Sequence, residues 1–143
     1  MVVRLIIIDL TQGLLTNEGL TAAREGAAEM LKSLSRQYRQ AAFVDAPATG
    51  LELRNQLEDS GLGGFFERVI TSADVGGTLS PAIFRRVAAA VGIPAGQAAV
   101  ISSQLNIVEN LQMAGIVALH AERGRPLSEL PEALAWVMAV SSP

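Results

Sequence analysis

Two aspartates stand where aliphatic runs end: Asp9 follows Leu5-Ile6-Ile7-Ile8, and Asp45 follows Ala41–Val44. Aspartate is a poor strand former, so its place directly behind an apolar run calls for a physical reason. One reason is local, since an aspartate at a strand end accepts hydrogen bonds from amides of the following turn. The other is chemical: if the two strands are neighbours, both carboxylates lie at one sheet edge within two strand spacings, ~10 Å. With no lysine between them, they are either solvated loop residues or the walls of a weakly acidic pocket that favours a cation or an amine. Ser102-Ser103, ahead of a helical pattern, can cap that helix or bind an anion through amides and hydroxyls. His120 can titrate near neutrality but has no serine or cysteine partner in a nucleophile motif. Gly61, Gly63 and Gly64 follow a helical pattern rather than a strand, the wrong setting for a dinucleotide-binding loop.

The elements that would position these residues can be read from periodicity. Val2–Ile8 is aliphatic without alternation, the pattern of a strand covered on both faces. Ala41–Val44, Arg68–Thr71, Ala98–Ile101 and Ile116–Leu119 read as further strands. Helical patterns fall between them. The first runs from Thr21 as cap to about Leu34, with Ala23, Ala27, Met30, Leu31 and Leu34 on one face. Leu51–Leu57 follows, then Pro81–Val91, opened by Ser80 and stopped at Gly92. Leu105–Ala114 stops at Gly115, and Leu127–Val140 turns Leu130, Leu134, Val137 and Met138 inward. Trp136 is expected in the core or on a self-association surface.

Strands alternating with helices of this length predict βαβ units, and right-handed crossovers then stack them in three layers. The expected fold is α/β: a doubly wound, Rossmann-like α/β/α domain over residues 1–143, with a five-stranded, mostly parallel sheet. Ligands in such a fold bind beyond the carboxyl ends of the strands, near the reversal in strand order. The positions of interest are therefore Asp9 and Thr11, Asp45, Ser72 to Thr78, Ser102, Ser103 and His120.

Composition narrows the function. The chain is 50% hydrophobic and 17% charged with a net charge of −3, so neither disorder nor a basic field for nucleic acid or anionic lipid is expected. A mean hydropathy of +0.34 suits a sheet covered on both faces, or a surface hidden in a homodimer. The absence of cysteine excludes disulfides, thiolate nucleophiles and cysteine-based metal sites, and the single histidine excludes a multi-histidine one. No apolar run approaches the about 18–20 residues that cross a bilayer, and none has the length of a signal peptide, so a cytoplasmic location is expected.

Several segments together resemble the haloacid dehalogenase-like (HAD) superfamily. Arg4–Leu14 resembles its first motif, a hydrophobic strand running into Asp-x-Asp-Gly-Thr-Leu. Gly26–Leu34 is similar to the helix before its second strand, and Leu62–Ile70, Leu-Gly-Gly-Phe-Phe-Glu-Arg-Val-Ile, to the segment entering its third. Val75–Val100 tracks the stretch that carries the family lysine, and Ile101–Gly115 has the length and apolar spacing of the fourth motif. The resemblance runs end to end and leaves no room for a cap domain. It implies Asp9 as the position of the nucleophile that forms an aspartyl-phosphate. It also implies replacements. Thr11 stands at the general acid–base position, Asp45 at the phosphate-binding serine or threonine, and Thr78 at the lysine. In the fourth motif, Ser103 and Ile107 replace the magnesium-binding carboxylates, and Ser102-Ser103-Gln104 opens the segment.

Threonine cannot protonate a leaving group near neutral pH, and Asp45 opposes an anionic substrate. Lys32, the only lysine, falls inside an early helix. The expectation is a capless HAD-like protein whose hydrolase site has decayed, with a binding or regulatory role, no metal or other cofactor, and a small molecule at the strand edge. Asp45, Thr78, Ser102 and Ser103 are its candidate ligand-binding residues. The alternatives are a working magnesium-dependent hydrolase with Asp9 as nucleophile, and a structural partner subunit.

Overall fold

The computed structural model describes residues 2–17 and 19–141. Its strands are β1 (Leu5–Asp9), β2 (Arg39–Val44), β3 (Arg68–Thr71), β4 (Ala98–Ser102) and β5 (Val117–His120). They pair in parallel in the order β3-β2-β1-β4-β5. The helices are α1 (Ala27–Ser35), α2 (Gly50–Asp59), α3 (Ser72–Val75), α4 (Pro81–Val91), α5 (Leu105–Met113) and α6 (Leu130–Ser141). The chain builds outward from β1 to β3, then returns to lay β4 and β5 on the other side. The order therefore reverses between β1 and β4.

Two apolar layers sandwich the sheet. Ile6 and Ile8 of β1 join Met30 and Leu31 of α1, Leu53 and Leu57 of α2, and Leu130 and Leu134 of α6. Leu5 and Ile7 point the other way, to Ile83, Phe84 and Val87 of α4 and Val108 and Leu111 of α5. All four β1 aliphatics are fully buried, which is why this strand carries no polar alternation. The expected α/β/α architecture and parallel sheet are present.

Three local expectations are corrected. The first helix begins at Ala27, not Thr21, and its N-cap is Gly26 in the left-handed region at φ 85°. The reason is a polar knot upstream. Asn17 Oδ1 accepts from the Thr21 and Ala22 amides and Asn17 Nδ2 donates to Thr21 Oγ1, which leaves Thr21 in a loop. Thr16 and Ala23 form an isolated antiparallel bridge, so Ala23 is on no helical face. The last helix starts at Leu130 after a short 3-10 turn, Leu127–Glu129, because Pro131 is tolerated only in a first turn. Trp136 is 68% exposed and is not a core residue.

Two elements tie the β3 side together. Thr71 and Asp74 form a reciprocal capping box at α3, a short helix the apolar pattern does not reveal. Asp74 Oδ2 also accepts from the Gly50 amide at 2.8 Å, joining α3 to the start of α2.

Candidate functional site

The register fixes what meets at the strand ends. Ile8 pairs with Ile101 across β1 and β4, so Asp9 and Ser102 are neighbours where the strand order reverses. Asp9 has no exposed surface. Its Oδ1 accepts from the Thr11 amide at 3.0 Å. Its Oδ2 accepts from Ser102 Oγ at 2.8 Å and from Gln104 Nε2 at 3.1 Å. Burial raises the Asp9 pKa above the usual carboxylate range, and hydrogen bonds from Thr11, Ser102 and Gln104 offset part of that rise.

The same network runs across the sheet edge. Thr11 Oγ1 accepts from the Asp45 amide at 2.9 Å, joining β1 to β2. Ser72 Oγ accepts from the Ala46 amide and donates to the Ala46 carbonyl, joining β2 to β3. The Ser102 carbonyl accepts from the Ala121 amide at 2.8 Å, and His120 Nε2 lies 3.2 Å from the Ser103 carbonyl. The carboxyl ends of all five strands are thus stitched by short polar contacts that lead back to Asp9.

The candidate residues divide accordingly. Asp9, Thr11 and Ser102 come together, whereas Asp45 contributes its amide and leaves its side chain exposed. The predicted acidic pocket shared by Asp9 and Asp45 does not form, because Asp9 is sealed beneath its donors. Thr78 is exposed between α3 and α4 and makes none of the hydrogen bonds of this network. Neither serine caps α5: Ser102 turns to Asp9 and accepts from the Gln104 amide, and Gln104 takes the cap position. Ser103 Oγ is buried with no hydrogen-bond partner among the described residues. Gln104 was not anticipated as a site residue. Its signal is weak, a polar side chain at a helix start that makes no cap bond of its own and so is free to reach elsewhere.

Beside the network opens a cleft of about 300 Å³ whose walls include Gln12, Arg24, Ser103, Glu122 and Arg123. Gln12 holds a positive φ of 65° and Gly13 one of 75°, so the turn after Asp9 is left-handed at two successive residues. Among the described residues, no three His, Cys, Asp or Glu side chains converge as a metal site would require. Among the described residues, no helix is long and apolar enough to cross a membrane.

No protein-family model and no curated protein matches the sequence. Solved structures do. The chain is similar to the core domain of a Streptococcus pneumoniae TIGR4 protein named as a phosphoglycolate phosphatase, at 20% identity and a TM-score of 0.66, over 94% of this chain and 97% of that one. It is similar to a haloacid dehalogenase-like family hydrolase from Xanthomonas campestris at 19% identity and a TM-score of 0.65, over 83% of this chain and 56% of that one. The fold is that of the haloacid dehalogenase-like hydrolases. YfnB from Bacillus subtilis, solved bound to magnesium, shares this fold with the chain at 21% identity and a TM-score of 0.62, over 78% of this chain and 56% of YfnB. The chain therefore spans little more than half the length of the Xanthomonas and Bacillus proteins. Within the HAD-like fold, Asp9 stands at the end of the central strand, where the resemblance implies a nucleophile.

Proposed function

We propose that this HAD-like domain is a non-catalytic binding or regulatory protein in which Asp9 locks the strand ends together and attacks no substrate. One observation carries the reading: the carboxylate at the nucleophile position is buried, and both of its oxygens accept hydrogen bonds from the protein itself. A nucleophile needs a free oxygen lone pair facing the reacting atom. Here three donors already occupy the two oxygens, two on Oδ2 and one on Oδ1. Thr11 supplies no proton at neutral pH, and its hydroxyl oxygen is committed to the Asp45 amide.

Magnesium, which the fold implies, does not fit these residues. It prefers octahedral oxygen ligation with one or two carboxylates and several waters. Asp9 Oδ2 already takes the Ser102 and Gln104 bonds, and Ser103 and Ile107 stand where the resemblance implies the other acids, which leaves one carboxylate for the ion. Lys32, the sole lysine, lies on α1 rather than at the strand ends.

The rival is a hydrolase acting through Asp9, and the hydrolase name of the Xanthomonas structure favours it. Incubating the purified protein with magnesium and a broad panel of phosphate esters, beside Asp9→Asn, separates the two. The proposal expects equal, background turnover from both proteins. Turnover in the parent that Asp9→Asn abolishes would overturn it.

A further inference from the structure

We infer that the exposed face of α6 is an interface for a second copy of this chain, with two α6 helices packed antiparallel across a two-fold axis at Trp136. The inference concerns a different surface from the strand ends and stands whether or not Asp9 reacts. From Ala133 to Val140 every residue of α6 is apolar. Leu134 is fully buried, and Val137 and Met138 pack against the core, which accounts for one stripe. A second stripe at helical spacing, Ala135, Trp136, Ala139 and Val140, lies exposed, with Val140 at 64%. A helix that is apolar all round is normally buried all round, and a contiguous apolar patch on a domain surface marks an interaction site. Trp136 is not in the core, so the other expectation from the sequence, a self-association surface, is the one taken up here.

Shape and charge select a second copy as the occupant. Trp136 stands beside a recess of about 470 Å³ whose walls include Leu119, Glu132 and Ala133. One patch thus carries both a protrusion and a hollow, and a two-fold axis places each against the other, as an isologous interface requires. Glu132 is the single charged residue of α6, and Arg125 is already paired with Glu129 at 3.6 Å. Antiparallel packing about Trp136 sets Glu132 against the uncharged Ala139-Val140 end of the other copy. The two Glu132 side chains then lie about 12 Å apart along the axis, at 1.5 Å per residue, whereas parallel packing would stack the acids and align the helix dipoles. A tryptophan N–H that becomes buried needs an acceptor, and Glu132, one turn from Trp136, is the carboxylate the other copy offers. An extended peptide suits the site less well, because Ala118 of the neighbouring edge strand is buried and its carbonyl accepts from Gln112 Nε2 at 3.0 Å. An anionic membrane does not fit either, since α6 has no lysine or arginine.

Contact along a helix of 12 residues, ~18 Å long, covers less than the ~800 Å² a side of a standard interface, so the dimer is weak, with a dissociation constant of roughly tens to hundreds of micromolar. Sedimentation equilibrium of the full chain from about 1 μM to about 1 mM brackets that range. The average mass should rise from 15.0 kDa towards twice that value. Emission from Trp136, the sole tryptophan, should move to shorter wavelength over the same concentrations. Trp136→Gln should weaken association at least tenfold while leaving the urea midpoint of the dilute monomer unchanged. Glu132→Lys, which turns a donor towards the indole N–H, should weaken it too. Leu51→Gln, a change at an exposed apolar residue elsewhere on the surface, should leave association as it is in the parent. Association undiminished in Trp136→Gln or Glu132→Lys, or lost as fully in Leu51→Gln, would overturn the inference. So would a protein that stays monomeric at every concentration, whether or not it co-sediments with phosphatidylserine vesicles.

Discussion

Asp9 carries a carboxyl group into a fully buried site, and burial raises its pKa. A group whose pKa is higher in the folded than in the unfolded chain binds its proton more tightly when folded. Its stabilising contribution is therefore complete below the ordinary carboxylate range and is lost as pH rises through the raised value. Asp9→Asn removes this dependence. Urea unfolding of both proteins from about pH 7 down to about pH 4 should show the parent gaining stability relative to the variant as acid is added. A difference that stays constant with pH would contradict the buried carboxyl group with a raised pKa described here. Gln104→Ala removes one donor from Asp9 Oδ2 and should cost about 1 kcal/mol, read by the same unfolding curves, because a buried acceptor loses a partner. An unchanged midpoint would mean that Gln104 only rests against Asp9.

At the level of elements, apolar period and capping residues made most of the fold legible. The unbroken Leu5–Ile8 run, and Ser80-Pro81 with Gly92 around α4, signal a doubly covered strand and a bounded helix directly, because burial and caps act within a few residues. What was not legible depends on contacts between distant residues. Thr21 looks like a cap until Asn17 is seen holding it in a loop. Gln104 looks like a helix start until the fold brings Asp9, 95 positions away, beneath it. Gly50 belongs to this class too: a Cβ there would lie 1.8 Å from the Val69 carbonyl oxygen, so α2 can approach β3 only because this residue has no side chain. Gly50→Ala should destabilise by about 3 kcal/mol or more, since backbone cannot yield as a side chain does. Thermal unfolding checks it, and a variant as stable as the parent would show that α2 shifts freely on the sheet.

Across the whole molecule, one fold serves two readings of its central strand end. The sheet order and the layers are those of the haloacid dehalogenase-like fold, and on the proposed reading the donors around Asp9 hold that carboxylate rather than prepare it to attack. The two layers that cover the sheet take up much of the apolar content, while Leu51, Met113 and Trp136 remain exposed. Fold likeness alone does not carry an activity, so the decision rests on whether Asp9 ever forms a covalent bond. The most direct measurement is the intact mass of the protein after incubation with magnesium and acetyl phosphate, beside Asp9→Asn. The account predicts unchanged masses for both proteins. A phosphoryl adduct on the parent, mapped to Asp9 and missing from the variant, would contradict it.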